Sequence, residues 1–142
     1  MRLQLLMIGK TRRAEMCAII DDYTNRIRRS CPIEILEVRD AEAALKRIDA
    51  DRSATPVLLD ASGKAMDSKA LAKWLGELRD RGTRQVIFIC GNADGFSESL
   101  RGRVSQKLSL SPMTLSHELA RAVLAEQLYR SFAILSGSPY PK

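Results

Sequence analysis

The feature that most constrains the fold is a regular alternation of strand-like and helix-like segments along the whole chain of 142 residues. Short apolar runs alternate with longer segments in which apolar residues recur at helical spacing. The predicted strands run from Leu3 to Gly9, Ile33 to Val38, Pro56 to Asp60, Gln85 to Cys90 and Lys107 to Leu110, and the predicted helices from Ala14 to Arg29, Ala41 to Ile48, Ser68 to Arg81, Ser97 to Gln106 and Glu118 to Leu135. This alternation predicts an α/β fold, with a mostly parallel sheet that helices cover on both faces.

The length of the chain is most simply that of one domain, here residues 1–142, and no repeat, linker or low-complexity tract divides it. No apolar run approaches the roughly 20 residues that cross a bilayer, and the amino terminus lacks the features of a signal peptide. A cytoplasmic protein is therefore expected. The three cysteines are widely spaced without a Cys-x-x-Cys motif, and there is a single histidine, so neither a disulfide framework nor a metal site is predicted.

Three segments that follow predicted strands are expected to meet at one rim of the sheet. Ligands of parallel α/β sheets bind beyond the carboxyl ends of the strands. That rim would combine Leu59 and Asp60 with residues 91–95 and residues 111–115. The third strand is expected to end at Ser62-Gly63-Lys64, whose residue types are typical of a turn. The rim is the candidate pocket for a small nucleotide-like ligand.

The segment Gly91-Asn92-Ala93-Asp94-Gly95 follows the most apolar predicted strand. It matches neither the Gly-x-Gly-x-x-Gly pattern of dinucleotide-binding folds nor a phosphate-binding loop. Its glycines suit either a plain strand-to-helix turn or a close approach of the backbone to a ligand. Asp94 equally suits the start of the following helix. These residues alone leave the alternatives open.

His117 and Arg121 stand four residues apart at the start of the last predicted helix, so both project from one helix face. One interpretation is a pair that contacts a substrate phosphate or base. The other is a pair of ordinary polar residues at a solvated helix start. The apolar side of the same helix, around Leu124 and Leu128, suits either a core or a dimer interface.

The net charge of +6 is concentrated near the two ends of the chain, and the middle is slightly acidic. The basic side chains near the ends either form one surface that attracts phosphates or cover solvated helix faces. They are Arg12, Arg13, Arg26, Arg28, Arg29, Arg101, Arg103 and Lys107. Aromatic residues make up 5% of the chain, too few for the stacking platform of a single-strand-binding module.

Several motifs occur in an order that resembles the RlmH family of SPOUT-class methyltransferases along nearly the whole chain. They are Leu3-Gln4-Leu5 with Gly9-Lys10, the glycine turn at 91–95, Leu108-Ser109-Leu110-Ser111 continuing through Thr114-Leu115 to His117, then Arg121, residues 125–130 and Pro139-Tyr140. Members of this family methylate N3 of a pseudouridine in 23S ribosomal RNA. The resemblance therefore implies an S-adenosylmethionine-dependent methyltransferase acting on that RNA, within the assembled ribosome.

The resemblance also implies a structure that the periodicity does not reveal. It implies a parallel sheet of five or six strands whose carboxyl-terminal part forms a deep trefoil knot, and an obligatory homodimer with the site near the subunit boundary. The implied cofactor contacts come from Leu59, Gly91, Leu110, Ser111, Pro112, Met113, Thr114 and Leu115, and the implied substrate-side residues are His117, Arg121 and Tyr140. No metal takes part.

Three features depart from the family pattern. Asn92 stands where the family usually has a second glycine, the tail Gly137-Ser138-Pro139-Tyr140-Pro141-Lys142 lacks two histidines common in related sequences, and the region between the second and third strands is short. The altered tail leaves open a paralogue that binds ribosomal RNA with weak or no methyl transfer, or a methyltransferase with a different RNA target. A third alternative is a nucleotide-binding enzyme of ordinary doubly wound topology.

Overall fold

Five parallel strands form the sheet of the computed structural model, which describes residues 1–140. They are β1 (Arg2–Ile8), β2 (Ile33–Val38), β3 (Thr55–Ala65), β4 (Gln85–Cys90) and β5 (Gln106–Ser109). Their spatial order is β2-β1-β4-β3-β5, and every neighbouring pair is parallel. This order matches neither of the common doubly wound arrangements, so the alternative of an ordinary doubly wound enzyme is wrong.

Helices cover both faces of the sheet, as predicted. They are α1 (Ala14–Ile27), α2 (Ala41–Ala50), α3 (Ser68–Asp80), α4 (Glu98–Arg103) and α5 (His117–Ser136). On one face α5 packs between α1 and α3, and on the other α2 packs against α4. Within residues 1–140, no helix combines the length and the apolar character needed to cross a lipid bilayer.

The central strand β4 explains why its sequence is continuously apolar. Val86 and Phe88 belong to the core beneath α1, α3 and α5, whereas Ile87 and Ile89 belong to the core beneath α2 and α4. All four side chains are completely buried. Successive residues of a strand point to opposite faces, so a strand covered on both sides needs apolar residues at every position.

The predicted end of the third strand is wrong. Instead of turning at Ser62-Gly63-Lys64, β3 continues to Ala65 and keeps its pairing with β5 after an irregularity. Leu59 and Lys64 both lie opposite Leu108 in the register, so the residues between them bulge out. A Cβ at Gly63 would stand 2.6 Å from the backbone carbon of Lys107. The glycine therefore permits a close crossing of two strands rather than a chain reversal.

The helix that precedes β5 is shorter than predicted. It covers Glu98–Arg103 instead of extending to Gln106, and β5 correspondingly begins at Gln106 and ends before Leu110. The Ser97 hydroxyl accepts a hydrogen bond from the Leu100 amide at 3.2 Å and so caps the helix. The assignment of Asp94 as the residue that starts this helix is wrong, because Ser97 takes that position.

Candidate active site

A cavity of about 440 Å³ lies beyond the carboxyl ends of β4 and β5 and beside the irregularity of β3, where Leu59, Asp60 and Ala61 line it. Parallel strands bring their carboxyl ends to one edge, and the loops that leave them enclose the space. Of the residues predicted to contact a cofactor, all except Pro112 line this cavity: Leu59, Gly91, Leu110, Ser111, Met113, Thr114 and Leu115. Pro112 belongs to the same loop. The structure thus brings together three segments that are far apart in the sequence.

The glycine turn after β4 forms one wall of the cavity. The Gly95 amide donates to the Asn92 carbonyl at 3.0 Å, and Gly95 has a φ of +77°, so this glycine serves a tight turn. Gly91 has another role, since a Cβ there would stand 3.3 Å from the Phe96 ring. The turn interpretation therefore fits Gly95, whereas Gly91 accommodates the Phe96 ring and its approach to a ligand stays a prediction.

The loop between β5 and α5 forms the opposite wall, and serine side chains hold its backbone. The Ser109 hydroxyl donates to the Ser111 carbonyl at 3.0 Å, and the Ser111 hydroxyl accepts from the Met113 amide at 2.9 Å. Ser116 then caps α5 by accepting from the Leu119 amide. Side chains that fix a loop in this way leave its backbone in a defined position to contact a ligand.

His117 is the first residue of α5 and lines the cavity. Its side chain is about one-third exposed. The Nε2 atom lies 3.8 Å from a carboxylate oxygen of Glu118. Among the three predicted substrate-side residues, His117 is the one that faces the cavity.

Glu118 is a buried residue that the sequence did not point to. Its two carboxylate oxygens accept hydrogen bonds from the Arg12 and Arg13 amides, at 2.9 and 3.0 Å, immediately before α1. These two backbone hydrogen bonds hold the pKa of the carboxyl below its usual value. Because Arg13 offers no side-chain cap of its own, Glu118 completes the start of α1 and ties it to the start of α5.

Arg121 does not line the cavity, although it shares a helix face with His117. Its side chain is completely buried. The Nη2 atom donates to the carbonyls of Ile8 and Gly91 at 2.8 and 3.1 Å, and Nη1 donates to the Gly9 carbonyl and the Thr11 hydroxyl at 3.1 and 2.9 Å. The guanidinium therefore joins the ends of β1 and β4 to α5. Its direct contact is with the Gly91 carbonyl behind the cavity wall, and its catalytic role stays a prediction.

Asp60 and Arg101 form an ion pair in the cavity wall that the sequence did not reveal. The Asp60 side chain is 10% exposed and also accepts from the Ser62 amide at 3.1 Å. Burial opposes ionisation of this carboxyl, but the hydrogen bonds from Ser62 and Arg101 prevail and hold its pKa below the usual value. The pair therefore carries two full charges at neutral pH.

Cys90 ends β4 and lines the same cavity, but its thiol is not suited to nucleophilic chemistry. Burial raises the pKa of this thiol to about 12, although Arg121 nearby acts in the opposite direction. A thiol in this state stays protonated and unreactive at neutral pH. The interpretation of Cys90 as a small hydrophobic residue agrees with this environment.

Tyr140, the third predicted substrate-side residue, lies at the other end of α5. It packs edge-on against Tyr129 with ring centroids 4.7 Å apart, and its hydroxyl lies 3.1 Å from that of Tyr23. Tyr23, Tyr129 and Tyr140 form what we call the tyrosine cluster. Partial burial and the hydrogen bond with Tyr23 raise the pKa of Tyr140. Tyr129 follows His117 by twelve residues, which corresponds to about 18 Å along a helix, so Tyr140 does not reach the cavity of its own chain.

Comparison with known proteins identifies the family. The sequence model of a family described as "Predicted SPOUT methyltransferase" matches residues 1–141. The chain belongs to the SPOUT methyltransferase family. The predicted resemblance to RlmH is confirmed by relatives that carry the name Ribosomal RNA large subunit methyltransferase H. That of Pelobacter propionicus is 44% identical over 151 residues, which cover 99% of each chain, and that of Koribacter versatilis is 42% identical over 142 residues, which cover 99% of this chain and 97% of the relative.

Solved SPOUT-fold structures agree with the architecture. The SpoU methyltransferase AviRb from Streptomyces viridochromogenes superposes with a TM-score of 0.59 at 14% identity, and the match covers 96% of this chain and 61% of AviRb. The same protein in complex with AdoMet gives a TM-score of 0.56 at 15% identity, covering 92% of this chain and 58% of AviRb. At this identity the likeness concerns the fold alone.

The basic side chains of this SPOUT family member are distributed around α1, α4 and β5, and a common phosphate-attracting surface stays a prediction. Arg12 and Arg13 precede α1 at the cavity end, whereas Arg28 follows its last turn, and a helix of 14 residues is about 21 Å long. Arg101 and Arg103 form ion pairs with carboxylates of other elements. Across the described part of the chain, no group of three or more His, Cys, Asp or Glu side chains is arranged to hold a metal ion.

Proposed function

We propose that the chain is an S-adenosylmethionine-dependent methyltransferase that transfers a methyl group to N3 of a pseudouridine in 23S ribosomal RNA. The observation that carries this proposal is the convergence of the predicted cofactor segments on one cavity, in a chain aligned from end to end with relatives named Ribosomal RNA large subunit methyltransferase H. The proposal includes a single domain over residues 1–142, a carboxyl-terminal trefoil knot and a cytoplasmic location.

The cavity has the size and chemistry that S-adenosylmethionine requires. Its volume of about 440 Å³ lies within the usual range of small-molecule sites, and apolar side chains such as Leu59, Leu110 and Leu115 line it. The missing side chain at Gly91 leaves room for the Phe96 ring beside the strand end. Backbone groups of residues 91–95 and 110–115 would read the adenine and ribose. The complex of AviRb with AdoMet supports this assignment at the level of the fold.

The proposed reaction is an in-line displacement in which the bond between N3 and the methyl carbon forms as the bond between that carbon and sulfur breaks, so that S-adenosylhomocysteine is the leaving group and the N3 proton is released to solvent. Bound S-adenosylmethionine supplies that methyl group on a positively charged sulfur. The protein mainly contributes alignment, because holding donor and acceptor in the reactive geometry removes much of the entropic barrier. His117 lines the cavity beside Ser116, and we assign it the role of orienting the target nucleoside.

Arg121 acts in this proposal through another residue. Its guanidinium donates to the Gly91 carbonyl and to the carbonyls of Ile8 and Gly9, so it fixes the end of β4 relative to β1. The cavity wall at Gly91 then keeps the shape that the cofactor needs. We therefore infer that Arg121 is a positioning residue and that its effect on methyl transfer follows from the geometry of Gly91.

The proposed assembly is a homodimer that acts on 23S ribosomal RNA within the assembled ribosome. Tyr140 packs against Tyr129, which lies about 18 Å from His117 along α5, so a substrate-side role for Tyr140 requires the tail of a second protomer. A dimer with its sites near the subunit boundary meets this requirement. We assign to Tyr140 the closing of the partner's cavity over the target base.

The experiment that tests the proposal is transfer of labelled methyl from S-adenosylmethionine to ribosomes that lack the pseudouridine N3 methyl group. Separated subunits and ribosomes without the pseudouridine serve as controls. We expect incorporation that requires the pseudouridine. Cofactor binding without incorporation, by an intact dimer, would overturn the proposal in favour of a paralogue that only binds RNA. Incorporation at another nucleotide would indicate a different RNA target.

A further inference from the structure

The cavity contains one feature that the proposed reaction does not use, the ion pair between Asp60 and Arg101. Among the described residues that line the cavity, Asp60 is the only carboxylate and Arg101 the only arginine or lysine. The remaining walls are apolar side chains, small residues and loop backbone, together with His117 and the uncharged polar side chains of Asn92, Ser111, Thr114 and Ser116. Opposite charges in this cavity are therefore confined to one place.

The geometry of Arg101 leaves part of its guanidinium available. Nη1 donates to Oδ2 of Asp60, and the guanidinium carbon lies 5.7 Å from the centroid of the Phe96 ring. Within residues 1–140 the guanidinium makes no other hydrogen bond, and its side chain is 41% exposed. Because an arginine carries five donors in a planar fork, several donors stay free while the carboxylate and the ring fix the orientation of the group.

The Asp60 carboxylate has more of its hydrogen-bonding capacity occupied than the Arg101 guanidinium has. It accepts from the Ser62 amide as well as from Arg101, and it is nearly buried. The Asp60 carboxylate therefore holds the guanidinium, and the free donors of the guanidinium belong to a side chain that lines the cavity. Phe96 belongs to the same wall, because its ring lies between the Arg101 guanidinium and Gly91 at the end of β4.

The cofactor offers a matching group. Its adenine and ribose are uncharged and suit loop backbone, whereas the methionine part ends in a carboxylate and an ammonium. Arginine binds carboxylates through paired, charge-assisted hydrogen bonds. We propose that Arg101 binds the carboxylate of the methionine part of the cofactor, with Asp60 as the residue that positions the guanidinium. This inference rests on the proposed function, since it assumes that the cavity takes S-adenosylmethionine.

The test compares three ligands that share the adenosine and the sulfur and differ in the amino-acid end. S-adenosylhomocysteine carries the amino-acid end, S-adenosyl-3-thiopropylamine lacks only its carboxylate, and 5′-methylthioadenosine lacks the amino-acid end altogether. Isothermal titration calorimetry would give the three Kd values for the purified full chain and for Arg101→Gln. We expect the substitution to weaken binding of S-adenosylhomocysteine about 10-fold, the lower end for a charge-assisted hydrogen bond, and to change binding of the other two less than about 2-fold.

Two further variants make the result specific. Arg101→Lys keeps the charge but loses the fork, so we expect it to recover part of the lost affinity for S-adenosylhomocysteine. Arg103→Gln is the matched control, because Arg103 pairs with Asp49 at 2.9 Å and does not line the cavity. We expect it to leave all three Kd values unchanged. Ratios of Kd values within one variant do not depend on the fraction of folded protein.

The outcomes separate this inference from the proposed function. Equal weakening of all three ligands by Arg101→Gln would overturn the inference, because the residue would then only tie α4 to β3. A wild-type chain that binds S-adenosylhomocysteine no better than S-adenosyl-3-thiopropylamine would also overturn it. A wild-type chain that binds none of the three ligands would overturn the proposed function together with the inference.

Discussion

The two ends of α5 are built in different ways. At the first end, His117 faces a cavity whose walls come from three segments of the same chain. At the other end, Tyr140 packs in the tyrosine cluster against Tyr129, which lies about 18 Å from His117 along the helix, and it does not line this cavity. One chain is therefore enough to form the cavity that we propose for the cofactor, whereas the proposed substrate-side role of the tail requires a second chain.

The forces at the two ends also differ. Buried charged groups with several backbone partners, Arg121 and Glu118, hold the cavity end together. The tyrosine cluster instead uses ring contacts and arginines stacked on ring faces, with Arg26 5.4 Å from Tyr23 and Arg130 4.7 Å from Tyr140. Buried groups left without partners cost far more than partly exposed ring contacts. Substitutions that remove all the polar partners of such a buried group at the cavity end should therefore have the larger effects.

The largest expected effect is that of Arg121→Met. Methionine fills a similar volume but leaves the carbonyls of Ile8, Gly9 and Gly91 without their buried donor. We expect a loss of about 3–5 kcal/mol in the free energy of unfolding, measured by urea denaturation, because several buried polar groups lose their partners together.

The control for Arg121→Met is Arg103→Met. Arg103 makes a partly exposed ion pair with Asp49, and such pairs contribute at most about 1 kcal/mol. An equally small effect of both substitutions would mean that Arg121 does not hold the cavity end together. It would also remove the reason for treating this residue as a positioning residue.

Gly91→Val should have the next largest effect, and it acts through the wall of the cavity. A Cβ at Gly91 would already stand 3.3 Å from the Phe96 ring, and valine adds two methyl groups beyond it. The valine displaces this ring, which also lines the cavity, and a ligand that needs the original position of the ring must overcome the overpacking of about 1–3 kcal/mol, which corresponds to about 5- to 150-fold weaker binding. We expect a loss of S-adenosylmethionine affinity in this range by calorimetry, with the oligomeric state unchanged.

The matched control for Gly91→Val is Gly102→Val. Gly102 has no atom within 4 Å of the position that its Cβ would take and lies outside the cavity. Its substitution should leave cofactor affinity unchanged. If Gly91→Val bound the cofactor as tightly as this control, the assignment of the glycine turn to the cofactor site would be wrong.

Local sequence signals predicted the elements that one continuous segment specifies. The bounds of β2 and β4 are confirmed, since Ile33–Val38 and Gln85–Cys90 are short apolar runs between clear breaks. The predicted end of β3 was wrong because the role of Gly63 was inferred from its neighbours in the sequence. A glycine is needed at this position because the backbone of Lys107, which is distant in the sequence, passes 2.6 Å from where a Cβ would lie.

The candidate site divides in the same way. The spacing of His117 and Arg121 correctly indicated one helix face, but periodicity does not show which part of that face is covered. Arg121 is buried because carbonyls more than 100 residues earlier in the chain, at Ile8 and Gly9, meet it. Asp60 and Arg101, 41 residues apart, form a pair for which no local pattern exists.

Tyr140→Phe tests the tail end of the comparison and should have a moderate effect. The phenylalanine keeps the ring contact with Tyr129 but loses the hydroxyl that lies 3.1 Å from that of Tyr23. If this hydroxyl acts on the substrate side, methyl transfer should fall about 10-fold while cofactor affinity stays the same, as expected for loss of one hydrogen bond. Single-turnover transfer and calorimetry would separate the two quantities.

Tyr23→Phe is the control, because it removes the same hydrogen bond and leaves the tail hydroxyl in place. We expect it to retain transfer activity. Equal losses of transfer in the two variants would indicate that the hydroxyl of Tyr140 only holds the tail in the tyrosine cluster. Parallel losses of transfer and cofactor affinity would contradict the division between the two ends of α5.

Glu118→Gln should have the smallest effect and a distinct pH dependence. The folded-state pKa of Glu118 is lowered by hydrogen bonds from the Arg12 and Arg13 amides. Its contribution to stability is therefore fully present above the usual carboxyl pKa of about 4.3 and is lost as the pH falls through the lower folded-state value. Glutamine keeps one acceptor oxygen without the charge. We expect a lower urea midpoint at pH 7 and a difference from wild type that shrinks below about pH 4.

The control is Glu77→Gln, because the Glu77 side chain is exposed, and it should leave the urea midpoint unchanged. A difference independent of pH would mean that the shape of the side chain, and not its charge, joins α1 to α5 at the cavity end.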